Sequence, residues 1–177
     1  MNSNSRIVIV GTSGAGKSTF ARKLSTKFGL KDIELDALFW GPNWTQAPES
    51  EFRKSIENAM ANSQGWVVHG NYGKVRDMTW KRATTLIWLN YSRRLVLWRV
   101  LKRSVTRIIN REILWSGNRE TFRKTFLSKD SILLWSFQTY RLRKEQYENL
   151  TKDPEYSHLN IIGFTDPREV DSFLKNL

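Results

Sequence analysis

The sequence predicts an α/β fold of three layers, a five-stranded parallel β-sheet with helices on both faces. Three observations predict it. Short β-branched runs alternate with longer amphipathic stretches along the whole chain, the pattern of strands joined by crossover helices. The first run, Arg6-Ile7-Val8-Ile9-Val10, shows no polar alternation and so suits a strand buried on both faces. A glycine-rich turn then joins that strand to a helical stretch. The chain has 177 residues, 40% of them hydrophobic and eight of them tryptophan, enough apolar bulk for a sizeable core. No repeat, low-complexity tract or linker divides it, so residues 1–177 read as one domain.

The elements follow in order. Lys17 to about Phe28 reads as a helix with Phe20, Ala21, Leu24 and Phe28 on one face, and Gly29 ends it. Asp32 to Leu35 fits a second strand, followed by a polar and aromatic loop from Asp36 to Ala47. Pro48 suits the first turn of a helix running through Met60. Trp66 to His69 is a third strand, closed by the turn-like Gly70-Asn71-Tyr72-Gly73, and Thr84 to Leu89 is a fourth. Ser92 can cap a long basic helix carrying Leu95, Leu97, Val100, Leu101, Val105 and Ile108. Residues 115–128 read as loop, and Asp130 to about Asn149 as helix. Leu159 to Ile162 is a fifth strand. Asp166-Pro167-Arg168-Glu169 has the form of a capping box that opens the last helix.

The turn after the first strand reads Gly11-Thr12-Ser13-Gly14-Ala15-Gly16-Lys17-Ser18, which matches G-x-x-x-x-G-K-[ST], a phosphate-binding P-loop. The glycines let the backbone curl so that its N–H groups approach phosphate oxygens. The following helix aims its positive end at the same oxygens. Lys17 is placed to neutralise the β- and γ-phosphates and Ser18 to ligate Mg²⁺, with Thr19 a neighbouring phosphate donor. Gly11, Ser13, Gly14, Ala15 and Gly16 complete the cradle. The strand before and the helix after are the context that the motif requires, so the expected ligands are ATP and Mg²⁺ on a P-loop NTPase fold.

The net charge of +12 favours anionic partners, and it is uneven. Between Arg93 and Lys144 fourteen Arg or Lys stand against the acids Glu112, Glu120 and Asp130. The absence of cysteine excludes disulfides, thiolate zinc sites and cysteine nucleophiles. The polar start Met1-Asn2-Ser3-Asn4-Ser5 and the short apolar runs lead to the expectation of a cytoplasmic protein with no membrane partner.

Later motifs carry a resemblance. After the P-loop come Leu35-Asp36-Ala37-Leu38-Phe39-Trp40 with Trp44, then Trp66-Val67-Val68-His69-Gly70-Asn71-Tyr72, then Arg99-Val100-Leu101-Lys102-Arg103. Gly117-Asn118-Arg119-Glu120 and Lys129-Asp130-Ser131-Ile132-Leu133-Leu134-Trp135 complete the series. Over nearly its whole length the chain resembles the adenylate-kinase-like P-loop kinases often labelled DNA topology modulation protein (FlaR-related). The resemblance implies an acceptor-binding insertion at residues 36–63 and a lid at about 112–129. It also implies that Arg99 stacks near the adenine and Arg103 reaches phosphate, and it makes Arg119 and Arg123, in the lid, candidates to close over the transferred group. Arg141 is a further candidate.

Ligands of parallel sheets sit beyond the carboxyl ends of the strands. Asp36 follows the second strand, where a carboxylate can accept a substrate hydroxyl proton or hold Mg²⁺ through water; a turn cap is the plainer alternative, and Glu34 is a weaker candidate. Trp40 and Trp44 can stack on a flat acceptor ring or simply pack locally. Asn71 and Tyr72 face the same crevice, and Arg76 is placed to hold an acceptor phosphate or to lie exposed. One position departs from the related kinases. They often carry an aspartate that orients Mg²⁺ waters just before the glycine matched by Gly70, and here His69 stands there. Histidine is no substitute for that carboxylate, so either the cation relies on Ser18 and Asp36 or activity is weak; the plainer alternative is that His69 is a histidine satisfied within the core.

The leading expectation is an ATP-dependent kinase acting on a nucleotide, nucleoside or similar small acceptor. Two alternatives stay open. One is a nucleic-acid-binding ATPase, with arginines interleaved among Trp98, Trp115 and Trp135, although no nucleic-acid-binding motif is present. The other is a nucleotide-binding switch without transfer.

Overall fold

The computed structural model describes residues 1–127 and 131–177. Five strands form one sheet: β1 (Arg6–Gly11), β2 (Lys31–Glu34), β3 (Trp66–His69), β4 (Thr85–Leu89) and β5 (Asn160–Phe164). They lie in the order β2-β3-β1-β4-β5, and every pair is parallel. β1 sits at the centre, so its β-branched residues are covered from both sides, as an uninterrupted apolar strand requires. The registers pair Ile9 of β1 with His69 of β3, and His69 with Glu34 of β2.

The helices are α1 (Lys17–Phe28), α2 (Leu35–Phe39), α3 (Glu49–Ala61), α4 (Arg76–Thr79), α5 (Arg93–Ile109), α6 (Ile132–Leu150) and α7 (Pro167–Asn176). They divide between two cores. Val8 and Val10 point to one side, with Phe52, Ile56 and Met60 of α3 and Tyr147 of α6. Ile7 and Ile9 point to the other, with Phe20 and Leu24 of α1, Val96 of α5 and Val170 of α7. The period-two alternation of β1 thus feeds both layers. Ser92 caps α5, and Asp166 with Glu169 closes a reciprocal capping box on α7.

Two stretches expected as loop are partly helical. The segment after β2 folds at once into α2 and then a 3₁₀ turn over Pro42–Trp44. The segment after α5 holds a 3₁₀ turn at Trp115–Gly117 and a π-helical turn at Arg123–Leu127. Side chains of the 115–118 stretch bind the Trp40–Trp44 segment, a tertiary contact that local composition does not register. Pro48 proves to be the N-cap of α3 and not its first turn. The expected helix start at Asp130 and the end of the expected lid at 128–129 lie outside the described residues; α6 begins at Ile132, capped by Ser131.

Candidate active site

The carboxyl ends of β1, β2, β3 and β4 open into one cleft of about 1460 Å³, lined by the P-loop, α2, α5, the 115–120 segment and α6. A single small ligand occupies roughly 300–1,000 Å³, so the cleft has room for two reactants side by side.

At one end the P-loop curls as its glycines allow. Gly14 has φ +82°, and a Cβ there would sit 2.5 Å from the Val96 carbonyl oxygen of α5. Gly16 has φ +93° and is the N-cap of α1. No side chain caps that helix and no acid occupies its first turn, so its free N–H groups face the cleft as an anion cradle. The Lys17 ammonium folds back on the loop, donating to the carbonyls of Gly11 at 2.8 Å and Thr12 at 3.2 Å. Burial pulls its pKa down to about 8, against the nearby negative charge of Asp36.

Basic side chains from α5 and α6 surround the loop. Arg99 reaches the Ala15 carbonyl at 3.5 Å and lies over the Tyr91 ring. Arg103 lines the cleft with its Nε buried and without a hydrogen-bond partner. Burial and the neighbouring Arg107 both press its pKa below the usual arginine value. A buried guanidinium nitrogen without a partner, on a side chain that lines the cleft, is an anion-binding group in waiting. Arg107 is already neutralised by Glu120 at 2.8 Å.

The other end is aromatic. Phe39, Trp40, Trp44, Tyr72 and Trp115 line it together with Asp36 and Gln46. Trp44 stands edge-on between Trp40 and Trp115, with ring centroids 5.7 and 6.2 Å apart. The Tyr72 hydroxyl donates to Asp36 at 2.5 Å. Burial first, and then the Asp36 charge, raise the Tyr72 pKa far above normal. Tyr72 therefore keeps its proton and fixes one oxygen of the carboxylate.

Two loops close this end by gripping each other. Asn118, 5% exposed, accepts from the Trp44 amide at 2.9 Å and donates to the carbonyls of Gly41 and Trp115, both at 2.8 Å. Ser116 donates to the Trp40 carbonyl at 2.7 Å. Asn43, Trp44 and Ser116 all adopt left-handed backbone, with φ of 57°, 61° and 55°. For non-glycine residues that costs roughly 1–2 kcal/mol each, and the clasp bonds offset it.

Several expected residues stand elsewhere than the sequence implied. Arg123 is exposed and outside the cleft lining, whereas Arg119 is exposed but lines it. Arg76 stacks on Trp80, 5.1 Å from the ring centroid, behind the cleft. Asn71 lines the cleft, but its amide donates to the Gly11 carbonyl and its oxygen accepts from Tyr147, so it braces the P-loop. Arg141 points to solvent and pairs with Glu145; Arg143 lines the cleft instead. Helical periodicity could have found it. Tyr140, which donates to the Tyr91 carbonyl, and the buried Tyr147 share a face with residue 143 and not with 141.

Asp36 is occupied by Tyr72, and the carboxylate in contact with Ser18 is Glu34, at 3.1 Å. His69 is 3% exposed, lies 3.4 Å from Ser18 and pairs with Asp32 at 3.1 Å. Trp115 and Asn118 were legible only as part of a motif, because their partners lie more than seventy residues away. Among the described residues no cluster of three His, Cys, Asp or Glu could hold a metal alone. The hydroxyl of Ser18 with an adjacent carboxylate is nevertheless a hard-oxygen set that suits Mg²⁺, which takes few protein ligands when phosphates supply the others.

Among solved structures the chain is similar to a gluconokinase from Sinorhizobium meliloti 1021, with TM-score 0.54 over 99% of this chain and 94% of that one. The likeness establishes the fold. This is a P-loop NTPase fold of the α/β kinase-like type. At 18% identity it carries nothing finer. No protein-family model matches the sequence, and no curated protein matches it. Among the described residues no helix is long and apolar enough to cross a membrane.

Proposed function

We propose that this chain is an ATP-dependent phosphotransferase that moves the γ-phosphoryl group to a hydroxyl of a small, ring-bearing acceptor, of which nucleosides and nucleotides are the leading class. One observation carries the reading: a single cleft joins a P-loop to a carboxylate ringed by aromatic side chains. The resemblance to adenylate-kinase-like proteins and the fold of the gluconokinase support it.

The P-loop N–H groups and Lys17 would hold the β- and γ-phosphates. Arg103, Arg143 and Arg119 would face the charge that phosphoryl transfer spreads over the moving oxygens. Ser18 would hold Mg²⁺, which would supply positive charge beside the phosphates. Arg99 would lie on the adenine side. Asp36, with one oxygen held by Tyr72, would accept the acceptor hydroxyl proton on the other. Trp40 and Trp44 would stack on the ring, and the clasp at Asn118 would exclude water and suppress hydrolysis.

The nucleic-acid-binding reading has less support. Trp115 and Trp135 line the cleft and Trp98 lies outside it, and the basic residues that line the cleft would be taken up by nucleotide phosphates on the kinase reading. The test is ADP production from ATP over a panel of nucleosides, nucleoside monophosphates and sugar acids, with K17A as control. Acceptor-dependent turnover supports transfer. Slow hydrolysis alone, or DNA binding that falls steeply with salt, overturns it.

A further inference from the structure

The hydroxyl of Ser18 has one proton and two lone pairs. If the oxygen is to ligate a cation, the proton must be drawn to an acceptor on the far side. Two acceptors stand there. Glu34 Oε1 is 3.1 Å away and His69 Nδ1 is 3.4 Å away. An ionised carboxylate at the shorter distance makes the stronger bond. His69 is also engaged by Asp32 through its other ring nitrogen, at 3.1 Å. The register explains the arrangement, because Glu34 and His69 are paired at the ends of adjacent strands. A carboxylate on β2 therefore reaches the position from which one on β3 would act.

The second oxygen of Glu34 is also used. It accepts from the Trp115 indole N–H at 3.1 Å. Trp115 belongs to the 115–118 turn that Asn118 and Ser116 fasten to the acceptor end. One carboxylate therefore joins the P-loop serine to the closing loop.

We propose that Glu34 is the positioning carboxylate of the divalent-cation site, accepting the hydrogen bond of the Ser18 hydroxyl so that a lone pair of its oxygen is turned toward the cleft, and that Trp115 couples this site to the loop over the acceptor. The proposal rests on the nucleotide-binding half of the reading above and not on transfer. His69 then serves as a brace, and its replacement of a carboxylate at the end of β3 does not cost the protein its cation site.

The experiment is calorimetric titration with the β,γ-imido analogue of ATP, in Mg²⁺ and in EDTA. The wild type binds more tightly in Mg²⁺. Glu34→Gln loses tenfold or more of that tightening and keeps its EDTA affinity within twofold, which also shows that it is folded; Glu34→Ala serves as the second variant. Trp115→Phe keeps the ring, drops the donor and loses threefold or more of the tightening. It adds nothing further in the Glu34→Gln background, as a residue acting through Glu34 must behave. Full retention of the Mg²⁺ effect in both Glu34 variants overturns the proposal, as does its loss in His69→Gln or Asp36→Asn alone. Additive effects in the double variant overturn the coupling. A wild type that binds the analogue equally in Mg²⁺ and EDTA overturns this inference alone, whereas no binding at all takes the nucleotide reading down with it.

Discussion

The two ends of the cleft are built on different principles. At the phosphate end the work falls to backbone: a loop of glycines, an uncapped helix start, and cations held close by burial. At the acceptor end it falls to side chains: a cluster of aromatic rings, the Asp36–Tyr72 pair, and a strained clasp in which Trp44 donates to Asn118 and Ser116 donates to Trp40. Backbone recognition needs local sequence only, since eight consecutive residues suffice. Side-chain recognition depends on segments such as Gly41 and Asn118, which are 77 residues apart. On the proposed function the first end would serve any nucleotide; the second is where this protein would choose its partner.

The two ends can be broken separately. The largest effect falls on the phosphate end. Lys17→Ala should reduce ATP turnover by about 10³-fold or more, the scale seen when one transition-state donor is removed, as measured by ADP release. Next is Asp36→Asn, expected to cut acceptor-dependent turnover about 10²–10⁴-fold while nucleotide affinity by calorimetry holds. Equal loss of both would erase the division between the ends.

Arg143→Ala should weaken nucleotide binding roughly 10-fold or more, as loss of a charge-assisted contact implies. Arg141→Ala, in solvent, should change it less than about twofold. The reverse ranking would mean that α6 is turned the other way. Asn118→Ala removes three clasp bonds and should cost about 1–3 kcal/mol. That is a fall of several degrees in melting temperature with nucleotide affinity in EDTA kept, confining the damage to the acceptor end and the cation site it is coupled to.

The smallest effect is on pH. Lys17 in the free protein titrates near 8, and bound phosphate favours its charged form. Just above that pH nucleotide binding should therefore take up a proton, and affinity should decline as pH rises. Calorimetry in buffers of different ionisation heat reads the uptake; none at all would place Lys17 outside the phosphate site. For the unliganded fold the sign is opposite. The depressed pKa leaves the unfolded chain holding more protons between about 8 and 10.5, so stability rises with pH through that window.

Much of the architecture was legible in the chain. Trp66–His69, Lys17–Phe28 and the capping box on α7 stand where pattern and propensity put them, because strand period, helix period and cap chemistry act over a few residues. Within the expected loops at 36–47 and 115–128, the turns at Pro42–Trp44 and Trp115–Gly117 are held by each other, a contact between distant segments that local pattern does not carry. Arg141 is a candidate by charge alone, whereas Arg143 lines the cleft on the face of α6 that Tyr140 and Tyr147 mark. Asp36, expected from its place after the strand to accept a hydroxyl proton or to hold Mg²⁺ through water, is paired with Tyr72, and the carboxylate against Ser18 is Glu34.

By itself, then, the sequence determined a parallel α/β sheet with a P-loop at its first turn, since β-branched runs, glycine conformations and helix caps are set by neighbours along the chain. Tertiary structure decided which cations face the cleft, that Asn71 braces the loop it borders, and that Glu34 and not Asp36 stands against Ser18. Those choices depend on strand order and register. Pairing β2 with β3 brings Glu34 beside His69, and no spacing within either segment encodes that meeting.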